Sequence, residues 1–233
     1  MAKILMVVSA ADSLTMRDGF EHPTGYWAEE LVVSHKTLLD AGHTVHIATP
    51  GGVKPTVDQV SLMDDSAGGK ERADSFRDYI ASIDAELSAP LVLAEVSAKN
   101  YDGVVMPGGH GPMTDLCKDA DMGRLLIDAN TAGKIIAPFC HGPAALLSAV
   151  DDEGKFAFAG RRLTVFTNEE ELNGGTGPNT PWFVEDALQE KGAIIENSDP
   201  WSSHVVRDGN LISGQNPQSS EDVAKEVIKA LQK

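Results

Sequence analysis

Short apolar runs alternate with longer amphipathic stretches along almost the whole chain, and that alternation limits the possible folds more than any other feature. "KILMVVS" (Lys3–Ser9) reads as a buried strand. "GYWAEELVVSHKTLLDAG" reads as the helix after it, with Trp27, Leu31, Leu38 and Leu39 near helical spacing and Gly42 as its stop. The unit recurs: "TVHIATP", "YDGVVMPGG", "KIIAP", "RRLTVFT" and "AIIEN" read as strands. Ser75–Leu87, "DADMGRLLIDANTAG", "GPAALLSAV" and "PWFVEDALQEKG" read as helices, the third with proline in its first turn, where proline fits. "HVVRDGNLISG" carries an Asp-Gly hairpin signal, and a last helix opens at Ser219. Strands that alternate with helices pair in parallel, so the expected fold is α/β: a mostly parallel sheet with helices on both faces. No repeat or long linker divides the chain, so residues 1–233 read as one domain. The polar tract from about 50 to 100 reads as a cap or insertion beside the core.

Composition excludes some partners. Acidic residues outnumber basic ones 35 to 19, a net charge of −16, whereas nucleic acid and anionic membranes reward a basic patch. The N-terminal apolar run is too short for a signal peptide, and no stretch is long enough to span a bilayer. The two cysteines, Cys117 and Cys140, make no disulfide framework, so a reducing cytoplasm is expected.

In parallel sheets ligands bind where strands hand over to helices. Cys140 stands at such a point, in "APFCHGPAAL", and Gly142 two residues on resembles the second half of a nucleophile elbow. Pro138 stands where the fuller elbow has glycine. A helix N-terminus and the adjacent His141 are expected to lower the thiol pKa, which favours the nucleophilic thiolate. Cys117, on a helix, reads as a small buried hydrophobe. A second strand end carries Gly108-Gly109-His110-Gly111, where glycines let backbone N–H groups approach a ligand as an oxyanion hole requires.

"MPGGHGPMTDL" together with "APFCHGPAAL" resembles the ThiJ/PfpI superfamily, relatives of class I glutamine amidotransferases with a flavodoxin-like three-layer fold. "DGFEHPTGYWAEEL", "FTNEEELNG", "PWFVEDAL" and "DGNLISGQNPQSS" resemble its glutathione-independent glyoxalase III branch, which also contains holding chaperones. The resemblance implies that Cys140 is the nucleophile and His141 the catalytic histidine. It implies Glu171 as the third triad member, with Glu170 one register away, and Glu30 as a glutamate projecting from the first helix toward the cysteine. Glu29, about 100° around that helix, is expected to face solvent. Gly109 and His141 match the oxyanion-hole positions, with His110 beside them. The implied reaction isomerises a 2-oxoaldehyde such as methylglyoxal to lactate through a cysteine hemithioacetal, a lyase of the glyoxalase III type. It needs no cofactor, since the cysteine replaces glutathione, and the resemblance also implies a homodimer.

Rival functions remain. A glutamine amidotransferase needs a late His-x-Glu, but His204 is followed by Val205-Val206. A cysteine peptidase would use the same residues in an open groove, whereas residues 53–100 could close over a small aldehyde. A holding chaperone would need an exposed apolar patch, and protein or nucleotide deglycation would use the same site. Trp27, Trp182 and Trp201 are candidates for pocket or interface, with core packing the plainer reading. His22 could line the pocket entrance. His43 and His46 point to opposite faces of a regular strand, and no two-histidine-one-carboxylate set is legible, so no metal is expected.

Overall fold

The structure, a computed structural model, describes residues 1–232. In chain order the strands and α-helices are β1 (Lys3–Val7), β2 (Ser13–Thr15), β3 (Glu21–Pro23), α1 (Ala28–Asp40), β4 (Thr44–Thr49), α2 (Asp64–Ala67), α3 (Lys70–Ser82), α4 (Asp84–Ser88) and β5 (Leu91–Val92). There follow β6 (Gly103–Met106), α5 (Ala120–Thr131), β7 (Ile135–Pro138), β8 (Arg162–Leu163), α6 (Asn168–Gly174), α7 (Val184–Glu190), β9 (Ile194–Ile195), β10 (Val205–Asp208), β11 (Leu211–Gly214) and α8 (Ser220–Leu231).

Seven strands form one sheet in the order β10-β11-β7-β6-β1-β4-β5, with β10 alone antiparallel to its neighbour. Strand β1 shows why its run is continuously apolar. Successive side chains point to opposite faces, so Ile4, Met6 and Val8 enter one core with Leu31 and Leu38 of α1 and Val223 and Val227 of α8. Leu5 and Val7 enter the other with Leu125 and Leu126 of α5 and Leu188 of α7. Both faces are covered, as a parallel sheet requires. Each such side chain contributes roughly 1.5–3 kcal/mol on burial. The expected three-layer α/β architecture is the one found.

Local differences have local causes. "GPAALLSAV" winds as a 3₁₀ run, Gly142–Ser148, because the turn at Cys140 sets a tight first bond from the Ala144 N–H to the His141 carbonyl, 3.0 Å. Only Arg162 and Leu163 of "RRLTVFT" pair as strand, with Ile194–Ile195 in a separate ribbon. Beyond them the Thr164 N–H goes to Ser213 Oγ (2.8 Å) and the Phe166 N–H to the Cys140 carbonyl (3.0 Å), which ends the ladder. The helix expected from Ser75 begins earlier, at Lys70, and breaks at Ile83. In the tract from 50 to 100, Leu62, Ala67, Ala73 and Phe76 pack on Ala28 and Val32 of α1, an outer layer over that helix.

Candidate active site

Two strand ends and one helix deliver the site. Strand β7 runs into Phe139 and Cys140, β6 into Pro107–His110, and α1, which follows β3, carries Glu30 in its first turn. Cys140 adopts φ 56°, a left-handed conformation that a non-glycine residue holds only at a cost. Its N–H donates to the Gly214 carbonyl (3.0 Å), and the Gly142 N–H to the Phe139 carbonyl (2.8 Å), which closes the turn. A Cβ at Gly142 would lie 2.2 Å from the Met106 carbonyl oxygen, so only glycine lets the β6 and β7 turns meet this closely.

Cys140 is nearly buried, 3% exposed, and its Sγ lies 3.3 Å from His141 Nδ1. His141 Nε2 lies 2.5 Å from Glu171 Oε2. The other oxygen of Glu171 accepts from His110 Nε2 (3.0 Å), the Thr176 N–H (2.6 Å) and the Thr176 hydroxyl (3.0 Å). Burial alone would raise the Glu171 carboxyl, but His141 and the hydrogen bonds from both histidines outweigh it and hold the group far below the carboxylate range. Burial, aided by His110, lowers His141, so the imidazole is neutral beside an ionised Glu171. The carboxylate therefore holds the proton on Nε2 and leaves Nδ1 bare toward the thiol.

Glu30 is fully buried on α1. Oε2 accepts the Gly108 N–H at 2.6 Å, while Oε1 has no hydrogen-bond partner. The carboxyl is near enough to Cys140 that each shifts the other's protonation. Burial pushes Glu30 up to about 8. Burial, and then the charge of Glu30, push the Cys140 thiol up, although the Gly109 N–H works in the opposite direction. This corrects the expectation of a low-pKa thiolate. The sulfur is desolvated and its histidine is uncharged, so the resting group is a thiol with a base at hand.

Glu170 does not reach the histidine. It closes the helix cap with Thr167 and accepts from Trp201 and Asn216. Glu29 is buried against Arg72 (2.5 Å) rather than facing solvent, because α3 covers that side of α1. The Gly109 N–H is directed at the Cys140 sulfur, and neither it nor the His141 N–H donates to a backbone carbonyl among the described residues.

Above Cys140 lies a small cavity of about 40 Å³, open to solvent and walled by Trp27, His110, His141, Phe166, the Gly174–Gly175 backbone and Trp201. No residue of 50–100 lines it among the described residues, so the outer layer is not its lid. Trp182 packs on the core instead, and His22 stands behind His110 with ring centroids 6.3 Å apart. Phe166, which no sequence signal marks as a site residue, has its ring centroid 4.4 Å from that of His141. Cys117 is part-buried and donates to the Met113 carbonyl.

Folding also assembles a set that spacing did not reveal. The ligand atoms of His110, His141 and Glu171 lie within 4.8 Å of one another. Their hydrogen bonds to each other account for the cluster, and a metal would have to displace the Nε2 protons of both rings.

Among the described residues no helix is long and apolar enough to cross a membrane. The chain is similar to glyoxalase 3 of Candida albicans, 24% identical over 100% of this chain and 99% of the relative. The crystal structure of glyoxalase III from that organism superposes with a TM-score of 0.82 at 22% identity, covering 98% of this chain and 97% of that one. The glutathione-independent glyoxalase HSP31 of Saccharomyces cerevisiae is 27% identical over 98% of both chains. The protein/nucleic acid deglycase HchA of Staphylococcus aureus is 25% identical over 99% of this chain and 81% of its own length. The model of the DJ-1/PfpI family matches residues 23–230, and this chain belongs to that family.

Proposed function

We propose that the protein is a glutathione-independent glyoxalase that converts a 2-oxoaldehyde, methylglyoxal being the simplest methyl ketone case, to the 2-hydroxy acid. The observation that carries this reading is the meeting of Cys140, the bare Nδ1 of His141 and the fully buried Glu30 beneath one small cavity. As Sγ bonds to the aldehyde carbon, its proton passes to His141 Nδ1. The developing oxyanion takes the N–H groups of Gly109 and His141 and then the proton, giving a hemithioacetal. Glu30, as carboxylate, removes the hydrogen of that carbon, and the electron pair forms an enediolate with its charge on the former ketone oxygen. Return of that proton from Glu30 to the second carbon, with passage of the hemithioacetal hydroxyl proton to the former ketone oxygen, leaves a 2-hydroxyacyl thioester on Cys140: the aldehyde carbon has been oxidised and the ketone carbon reduced. Water then hydrolyses the thioester, releasing the acid and restoring the thiol. A carboxyl near 8 suits both halves of the proton shuttle, because acid–base groups work best when their pKa lies near the operating pH.

Deglycation is the second reading, favoured by the likeness to HchA, and would begin with the same sulfur. The test is lactate formation from methylglyoxal with no added thiol, comparing wild type with Cys140→Ala and Glu30→Gln. Loss of activity in Cys140→Ala supports the covalent route, and its survival overturns it. Release of amine from a glycated peptide without any turnover of free methylglyoxal would replace the glyoxalase reading with the deglycase one.

A further inference from the structure

Two non-glycine residues among those described hold a positive φ: Cys140, and Trp201 at 62°. Such a conformation persists only where the surroundings enforce it, and for Trp201 they do so without burying it, since the residue is 41% exposed. The Trp201 N–H donates to Glu170 Oε1 at 2.8 Å. Glu170 is fully buried and accepts from every neighbour it touches: Asn216 Nδ2 (2.8 Å) and Gln215 Nε2 (3.3 Å) at Oε1, and the Thr167 N–H (2.9 Å) at Oε2. Held there, the indole lies across Gly174, where a Cβ would meet its benzo ring at 2.6 Å. Its edge meets Phe166, with centroids 5.6 Å apart and planes at 72°, and Phe166 in turn packs on His141. A strained, half-exposed tryptophan clamped at the mouth of the cavity is poorly explained by packing alone.

We propose that Trp201, clamped by Glu170 across Gly174, is a specificity-determining wall that favours 2-oxoaldehydes with a flat apolar substituent, aryl above all, over those carrying methyl. The inference rests on the glyoxalase reading of the same cavity. With the two carbonyl carbons over Cys140, the substituent on the ketone projects to the mouth and meets the indole and Phe166. Edge and face contacts between aromatic rings favour the aryl substrate by a factor on the order of ten. Glu170 is here a positioning residue, acting through the Trp201 backbone.

The test compares kcat/KM for phenylglyoxal and methylglyoxal in wild type, Trp201→Ala, Trp201→Phe, Glu170→Gln and the double variant Glu170→Gln/Trp201→Ala. In Trp201→Ala the phenyl-to-methyl ratio should fall roughly tenfold. Trp201→Phe should keep most of the preference. Glu170→Gln should lower the ratio, and the double variant should fall no further than Trp201→Ala, which general loosening of the fold would not produce. A second arm needs no turnover: alkylation of Cys140 by N-phenyl iodoacetamide and by iodoacetamide, read from the mass of the Cys140 peptide. A ratio unchanged by Trp201→Ala in both arms overturns the proposal. If no 2-oxoaldehyde is turned over, the glyoxalase reading falls, and the alkylation ratio alone decides the role of Trp201. If Glu170→Gln does not fold, the Trp201 variants decide it.

Discussion

Replacing Glu30 by glutamine should make the protein more stable at alkaline pH while disabling it. The wild-type carboxyl has no exposed surface and is pushed from 4.5 up to about 8 by burial. Between those two values the folded state holds a proton that the unfolded chain has released, so stability falls as pH rises through the window. Each unit is worth about 1.4 kcal/mol, so the loss reaches ~5 kcal/mol by pH 8 and ~3 kcal/mol at pH 7. Glutamine does not titrate, and its carbonyl oxygen can still accept the Gly108 N–H that Oε2 now takes. Urea unfolding of both proteins at pH 5, 7 and 8.5 should show a stability difference that is small at pH 5 and grows in favour of Glu30→Gln. In the proposed isomerisation the same variant loses its base, a cost of about 10²–10⁴ in rate. A pH-independent stability difference, or a Glu30→Gln protein that loses ground as pH rises, would refute the reasoning, because Glu30 would then not be a desolvated acid.

Other outcomes follow from the same geometry. Because Glu30 must be ionised to act as base, kcat/KM for methylglyoxal should rise with pH and level off above about 8, and in Glu30→Gln that rise should vanish from the pH–rate profile. Because burial and His110 keep His141 neutral, no loss of activity should accompany a rise of pH through 6.5, which the same profile would reveal. Cys140→Gly and Cys140→Ala should both be inactive, yet the glycine variant should be the more stable by about 1 kcal/mol, since φ 56° strains alanine and not glycine; thermal melts compare them. Glu171→Gln can set an amide N–H against His141 Nε2, which favours the tautomer with its proton on Nδ1, facing the sulfur. Steady-state kinetics should show a fall in kcat approaching 10⁴-fold.

Some of this site was legible in the residues. "CHG" after an apolar strand pointed to a turn that bares a side chain, and the glycines around His110 to a second turn beside it. Glu30 was harder, because a glutamate on a helix usually faces water. Yet Glu30, Ser34 and Leu38 recur every four residues along one stripe of α1, and all three are fully buried. The choice between Glu170 and Glu171 also had an answer in the pattern. "TNEE" is a Thr-x-x-Glu capping box, which occupies Glu170 and turns the next residue about 100° around the helix, toward His141. The pairing of His110 with Glu171, and the placing of Trp201 over Gly174, arise from segments tens of residues apart and leave no local trace. The direction of the Cys140 shift is not legible in the residues because desolvation is a property of the closed fold: neither the adjacent histidine nor the strand end reveals how little water reaches the sulfur.

The most direct test of the account is to mix the protein with methylglyoxal for a fraction of a turnover, quench in acid and measure the mass of the peptide that carries Cys140. The account predicts an adduct of substrate mass on that peptide, more abundant at short times and retained in Glu30→Gln as the unrearranged hemithioacetal. Lactate accumulating at the wild-type rate in Cys140→Ala, or from wild type with no adduct on Cys140 at any time, would contradict it.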